Sequence, residues 1–195
     1  NLLHGTAELA RDGRRVVFTG TYSRSGRITL YSVPSDGGAE PMVIFDPEQY
    51  DATFYDDLEA RRELDASHVA FFRITPDSRR VVFALEERGQ LISVPIDAPA
   101  PQLVLAPIRS DATFQLGPDG VRAVYLRQDF SGLPSPLYSV PTDGSAGEVE
   151  LVEPPALGPG HVVDFAIEAG ASRVVFTFGD ETGTVPLRLY SVPID

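Results

Sequence analysis

Apolar residues in this chain fall in short alternating or β-branched runs, not at helical spacing. RRVVF (14–18), RRVVF (79–83), VRAVY (121–125) and SRVVF (172–176) each read as a strand. About a dozen residues or more beyond each lies a second strand: LYSVP (30–34), LISVP (91–95), LYSVP (137–141) and LYSVP (189–193). Ahead of the first strand stands a turn signal, ARDG (10–13), TPDS (75–78) or GPDG (117–120), in which Pro presets φ and Asp or Gly favours the bend. The fourth copy has EAGA (168–171) there, so its turn is expected through Gly170. A short strand precedes each of these turns. After a second turn such as SDGG (35–38) or TDGS (142–145), a last strand follows, as in PMVIF (41–45) and QLVLA (102–106). The pattern predicts an all-β chain of four-stranded antiparallel meanders.

Repetition on this scale is the signature of a stacked repeat architecture. The four copies resemble the TolB-type, WD-like β-propeller repeat, whose signature is close to SPDG, RVVF, LYSVPLDGG. The resemblance covers nearly the whole chain. It implies four propeller blades, approximately 4–45, 67–107, 110–153 and 161–195 plus 1–3, with an insertion at 46–66. It also implies binding of protein or ligand, because in some enzymes of this kind the propeller only gates a separate hydrolase domain. No G-x-S-x-G nucleophile elbow occurs in this chain.

The fourth repeat ends on its third strand at Asp195, and Asn1, Leu2 and Leu3 stand where other repeats have the end of an outer strand. The N-terminus is therefore expected to supply the missing strand, since an unpaired apolar edge templates aggregation. Propellers hold about four to eight blades, which allows a four-bladed ring or an eight-bladed ring made by two chains exchanging ends. Blades of this type come from larger rings and their wedge shape should not close at four. The expected partner is thus a second copy, a homodimer by strand exchange, although a fragment of a longer chain fits the same pattern.

Composition narrows the partners further. A net charge of −12 and a pI near 4.6 exclude the Lys and Arg excess that nucleic acid or an anionic membrane surface requires. With no cysteine the chain suits a reducing or an oxidising compartment, so bacterial periplasm and cytoplasm both stand open. Half of the charge lies in one place: residues 46–65 carry eight acids and two arginines. Asp56 and Glu59 in that insertion have capping-box spacing for a short helix.

The chain's three histidines share a register. His68 and His161 lie fifteen residues before the aromatic that ends the RVVF strand, His4 lies fourteen before it, and the third repeat has Ser110 and Asp111 at these places. Duplication of an ancestral strand-start residue accounts for this. So does a metal site, because inner strands converge on a channel and three imidazoles can hold Zn²⁺ with a position open for water. A metal-bound water of pKa about 7 attacks esters and phosphoesters without a serine or cysteine nucleophile.

In that reading His4, His68 and His161 hold a divalent transition metal, Zn²⁺ above all, at the channel mouth. Asp111 and Asp56 serve as base or extra ligand, as Asp51 and Asp57 could, and Tyr55 or Tyr50 donates to an oxyanion or lines a pocket for a small-molecule substrate. Two functions thus follow from the residues: a metal-dependent hydrolase of small esters or phosphoesters, and a non-catalytic binding module for a peptide, protein or small ligand.

Overall fold

The computed structural model describes residues 6–21, 28–52, 69–85, 88–108, 114–127, 136–153, 157, 160–170, 172–180 and 184–195. Strands β1 (Ala7–Leu9), β2 (Arg15–Gly20), β3 (Thr29–Pro34) and β4 (Met42–Phe45) form one antiparallel sheet in sequence order. A helix, α1 (Pro47–Ala52), follows it. Then come β5 (Val69–Ile74), β6 (Arg80–Leu85), β7 (Gln90–Pro95) and β8 (Leu103–Pro107) as a second sheet, and β9 (Phe114–Leu116), β10 (Arg122–Leu126), β11 (Leu137–Pro141) and β12 (Val149–Val152) as a third. The last sheet has three strands among the described residues, β13 (His161–Ile167), β14 (Arg173–Gly179) and β15 (Arg188–Pro193). Each sheet is a consecutive meander, so the all-β, four-blade expectation describes the molecule. No helix among the described residues is long and apolar enough to cross a membrane.

The turn signals work as their chemistry requires. The amide of Gly13 donates to the Ala10 carbonyl at 2.8 Å, that of Ser78 to Thr75 at 2.7 Å and that of Gly120 to Gly117 at 2.8 Å. Each of these three residues is left-handed, with φ of 72°, 60° and 76°. The preceding Asp side chain closes the bend by accepting the amide two residues on: Asp12 from Arg14, Asp77 from Arg79 and Asp119 from Val121, at 2.9 to 3.1 Å. In the fourth blade the turn runs through Gly170, as expected, and the Glu168 amide donates to the Arg173 carbonyl across it at 2.9 Å; Ala171 lies outside the described residues.

Asp46 caps α1, its Oδ1 accepting the Glu48 amide at 2.9 Å; Asp56 and Glu59, expected as a capping box, lie outside the described residues. Tyr50, expected at a pocket, is 3% exposed, donates to Gln90 Oε1 at 2.6 Å and packs its ring against Phe45 at 5.6 Å, and it lines a cavity of about 230 Å³ with Asp46 and Gln49. The bond to Gln90 ties α1 to the second sheet.

Contacts divide the chain into two compact units, residues 1–104 and 105–195. In each unit two sheets pack face to face in the same way. Strand register puts Val17, Thr19, Leu30 and Ser32 on one face of the first blade and Val16, Phe18, Tyr31 and Val33 on the other. We term these the leading and trailing faces. The leading face of blade 1 (Val17, Leu30) shares a core with the trailing face of blade 2 (Val81, Phe83, Ile92, Val94). In the second unit Val124 and Leu137 of blade 3 pack likewise on Val174, Phe176, Tyr190 and Val192 of blade 4. Of the recurrent LYSVP tyrosines, Tyr190 packs into this inter-blade core.

Candidate functional site

His161 opens β13, half-buried, with its backbone opposite Gly179. Gly160 before it has a steric reason. Gly160 has φ of 131°, and a Cβ on it would stand 2.9 Å from a Phe178 ring carbon and 3.0 Å from the Gly179 carbonyl oxygen. Nearby, both carboxylate oxygens of Asp180 take amides of its own loop, from Thr184 at 3.0 Å and Val185 at 2.9 Å. A pocket of about 230 Å³ beside this loop is lined by Leu157, Phe178, Val185, Arg188 and Tyr190 among others, and His161 is not part of its lining. This is smaller than the roughly 300–1,000 Å³ usual for small-molecule sites.

Of the nine residues expected to carry chemistry, His161 and Tyr50 are described and Asp51 lies within α1; His4, His68, Tyr55, Asp56, Asp57 and Asp111 lie outside the described residues. Among the described residues no group of three or more His, Cys, Asp or Glu side chains could hold a metal ion. The residues in view do not by themselves fit Zn²⁺.

What the structure does bring together, in every blade, is an arginine and a serine. Arg15 Nε donates to Ser32 Oγ at 2.7 Å, Arg80 to Ser93 at 2.6 Å, Arg122 to Ser139 at 2.9 Å and Arg173 to Ser191 at 2.8 Å. The arginine that starts the RVVF strand lies along the leading face and reaches the SVP serine on the neighbouring strand. Ser139 uses its own proton to bond the Ile194 carbonyl of the following blade at 2.6 Å, so the clamp also ties blade to blade. The signal was present, since Arg and Ser keep constant positions in all four repeats.

A second recurrent device runs along the inner strands. Glu8 Oε1 accepts the Ile74 amide of the next blade at 3.3 Å. Gln115, in the same register, accepts from Ile167 at 3.3 Å and donates to the Phe165 carbonyl at 2.7 Å. In the first unit the equivalent carbonyl, that of Phe72, takes its bond from Arg73 Nη1 at 2.9 Å. Burial raises the Glu8 pKa above the ordinary carboxylate range, against the opposing pull of the Ile74 amide and Arg73. Glu8 and Arg73 line a groove of about 360 Å³ with Thr6, Ala7, Phe71 and Phe72.

In blade 3 a polar network sits at the sheet. Tyr125 donates to Glu148, which also takes Arg127 Nη1 at 2.6 Å; the Arg127 guanidinium lies 5.2 Å from the Tyr138 ring centre, and Tyr138 donates to Glu150 at 2.9 Å. Burial, and then the Glu148 carboxylate, push the Tyr125 phenol well above its usual range. It remains a proton donor at any physiological pH.

No protein-family description and no curated protein matches this sequence. Solved structures do match the fold. A putative TolB from Agrobacterium tumefaciens aligns over 96% of this chain and 60% of its own length, with a TM-score of 0.54 at 14% identity. The fold is that of a TolB-type β-propeller. The propeller domain of the trilobed protease from Pyrococcus furiosus, reported to have an open velcro topology, aligns over 96% of this chain and 54% of its own, with a TM-score of 0.56 at 10% identity. An oligogalacturonate lyase from Vibrio parahaemolyticus aligns over 98% and 51%, with a TM-score of 0.59 at 14% identity. The chain thus spans between half and three fifths of these structures. In this fold the Glu8 and Gln115 bridges lie on β1 and β9, the first strands of their sheets, and His161 stands at the start of β13, the first strand of the fourth.

Proposed function

We propose that this chain is a non-catalytic β-propeller binding module that completes itself with a second copy, two chains exchanging strands to close one eight-bladed ring. The observation that carries this reading is the outer edge of β15. The first three sheets have a fourth strand there, β4, β8 or β12; among the described residues none pairs with β15. A strand edge of this kind binds an extended segment through main-chain hydrogen bonds. In the ring that segment is the N-terminal residues of the partner copy. The ring's mouth, with the acidic insertion beside it, then receives a cationic peptide, protein or small ligand.

Hydrogen exchange measured over a range of chain concentrations tests this. Amides of residues 188–192 that face away from β14 should slow as concentration rises while those of residues 137–140, already paired on both sides, stay unchanged. Fast exchange in β15 at every concentration contradicts strand exchange.

A second reading, a Zn²⁺-dependent hydrolase of small esters or phosphoesters held at His4, His68 and His161, rests on the shared register of these histidines in the repeats. It predicts about one metal ion per histidine cluster, lost in His161→Ala. Elemental analysis of purified protein decides: metal-free wild-type chain removes this reading.

A further inference from the structure

The groove between β1 and β5 lies wholly within the first unit. Its volume of about 360 Å³ falls in the range of roughly 300–1,000 Å³ usual for small-molecule sites. It holds an acid and a base that are not satisfied by each other. Glu8, half-buried, accepts the Ile74 amide on Oε1 at 3.3 Å, and its Oε2 bonds to no described residue. Arg73, exposed, spends Nη1 on the Phe72 carbonyl at 2.9 Å, and the rest of its donor fork has no partner among the described residues. Arg73 stands near enough to act on the Glu8 charge, yet the two form no ion pair.

The second unit shows that joining two blades requires neither charge. Glu8 stands opposite Val17 of its sheet and Gln115 opposite the equivalent Val124. Arg73 likewise stands opposite Val82, and Ala166 opposite the equivalent Val175. A glutamine and an alanine therefore occupy the places that an acid and a base hold in the first unit. Gln115 makes the bridge alone, accepting from Ile167 at 3.3 Å and donating to the Phe165 carbonyl at 2.7 Å. Glu8 and Arg73 thus make together, with charged groups, a bridge that one neutral side chain makes elsewhere. What the charges add is recognition: a free carboxylate oxygen and a free guanidinium edge in one groove.

Those two groups define their ligand. A carboxylate oxygen takes an N–H donor, best a cation, and a guanidinium edge takes a carboxylate in a two-pronged bond. Burial opposes the charge of Glu8 more strongly than the Ile74 amide and Arg73 support it, so a second cation laid on Oε2 would relieve that side chain. Phe71, two residues from Arg73 on the same strand, supplies an apolar wall to the groove. We propose that this groove binds a free α-amino acid with an apolar side chain, its ammonium on Glu8 Oε2, its carboxylate on the Arg73 guanidinium and its side chain against Phe71. The site belongs to the first unit alone and does not depend on the two-chain ring.

Equilibrium dialysis of the full chain against labelled L-phenylalanine and L-leucine tests the site, with N-acetyl-L-phenylalanine and L-phenylalanine methyl ester as ligands that lack one charge each. Two variants accompany the wild type, Glu8→Gln and Arg73→Ala, each installing the residue that the second unit already carries at that place. The expected result is saturable binding of at least one of the two amino acids, weakened by about tenfold or more in each variant and for each blocked derivative, the scale of a lost charged hydrogen bond. No binding of either amino acid at millimolar concentration overturns the proposal. So does wild-type affinity in either variant, which would place the ligand elsewhere. Equal binding of either blocked derivative overturns the two-charge recognition, and this arm reads the wild-type protein alone, so it stands even if a variant fails to fold.

Discussion

Glu8 shows how much one side chain's ionisation matters here. In the second unit the same inner-strand position holds Gln115, a neutral group that both accepts and donates across the blade boundary. Glu8 accepts only, and burial opposes its charge. Its folded pKa lies above the unfolded value, so the folded state binds the proton more tightly and stability falls as pH rises through that pKa. Glu8→Gln should therefore stabilise the protein at pH 7 by about 0.5–1.5 kcal/mol, the net worth of a hydrogen bond. The gain should shrink as pH drops and the wild-type carboxyl is protonated. Thermal melts of both proteins between pH 4 and pH 8 (roughly the range around a carboxylate and neutrality) measure it; a destabilised variant at pH 7 would show that the attraction to Arg73 dominates. The arginine–serine clamp belongs to this scale too. The sequence displayed its residues in every repeat, but exposed-looking arginines at strand starts give no sign that they lie down on a neighbouring serine. Register, which only the paired strands reveal, turned Arg80 from a surface cation into a clasp on Ser93.

Strands and turns were the most legible elements. A period-2 pattern with β-branched residues and Pro-Asp-Gly punctuation leaves a chain little choice but short antiparallel pairs, and the register of RVVF against SVP recurs in all four sheets. Where the punctuation weakens the turn still forms: EAGA lacks both Pro and Asp, and its turn runs through Gly170. The start of the insertion was less legible. Asp46 caps α1, and Tyr50 is buried on Phe45 with a bond to Gln90; burying an aromatic ring outweighs the few tenths to about 2 kcal/mol a cap supplies, and local spacing does not reveal such an anchor. Asp56 and Glu59 lie outside the described residues. Gly160, before His161, has a steric reason: it passes too close to Phe178 and Gly179 for any Cβ.

At the scale of the whole molecule the sequence shows four repeats, and the structure adds how differently equivalent residues are buried. Leu30 and Leu189 are identical letters in identical repeats, one 0% and the other 72% exposed. Only packing tells them apart. In the proposed two-chain ring the exposed Leu189 would be buried, and a leucine buried on assembly contributes about 1.5–3 kcal/mol. The shared register of His4, His68 and His161 does not by itself assign a metal site, because it is equally what duplication leaves behind. The most direct test of the account is the mass of the unmodified protein in solution, by native mass spectrometry at micromolar concentration. The account predicts a species of twice the 21.1 kDa chain mass; a population made up only of single 21.1 kDa chains would contradict it.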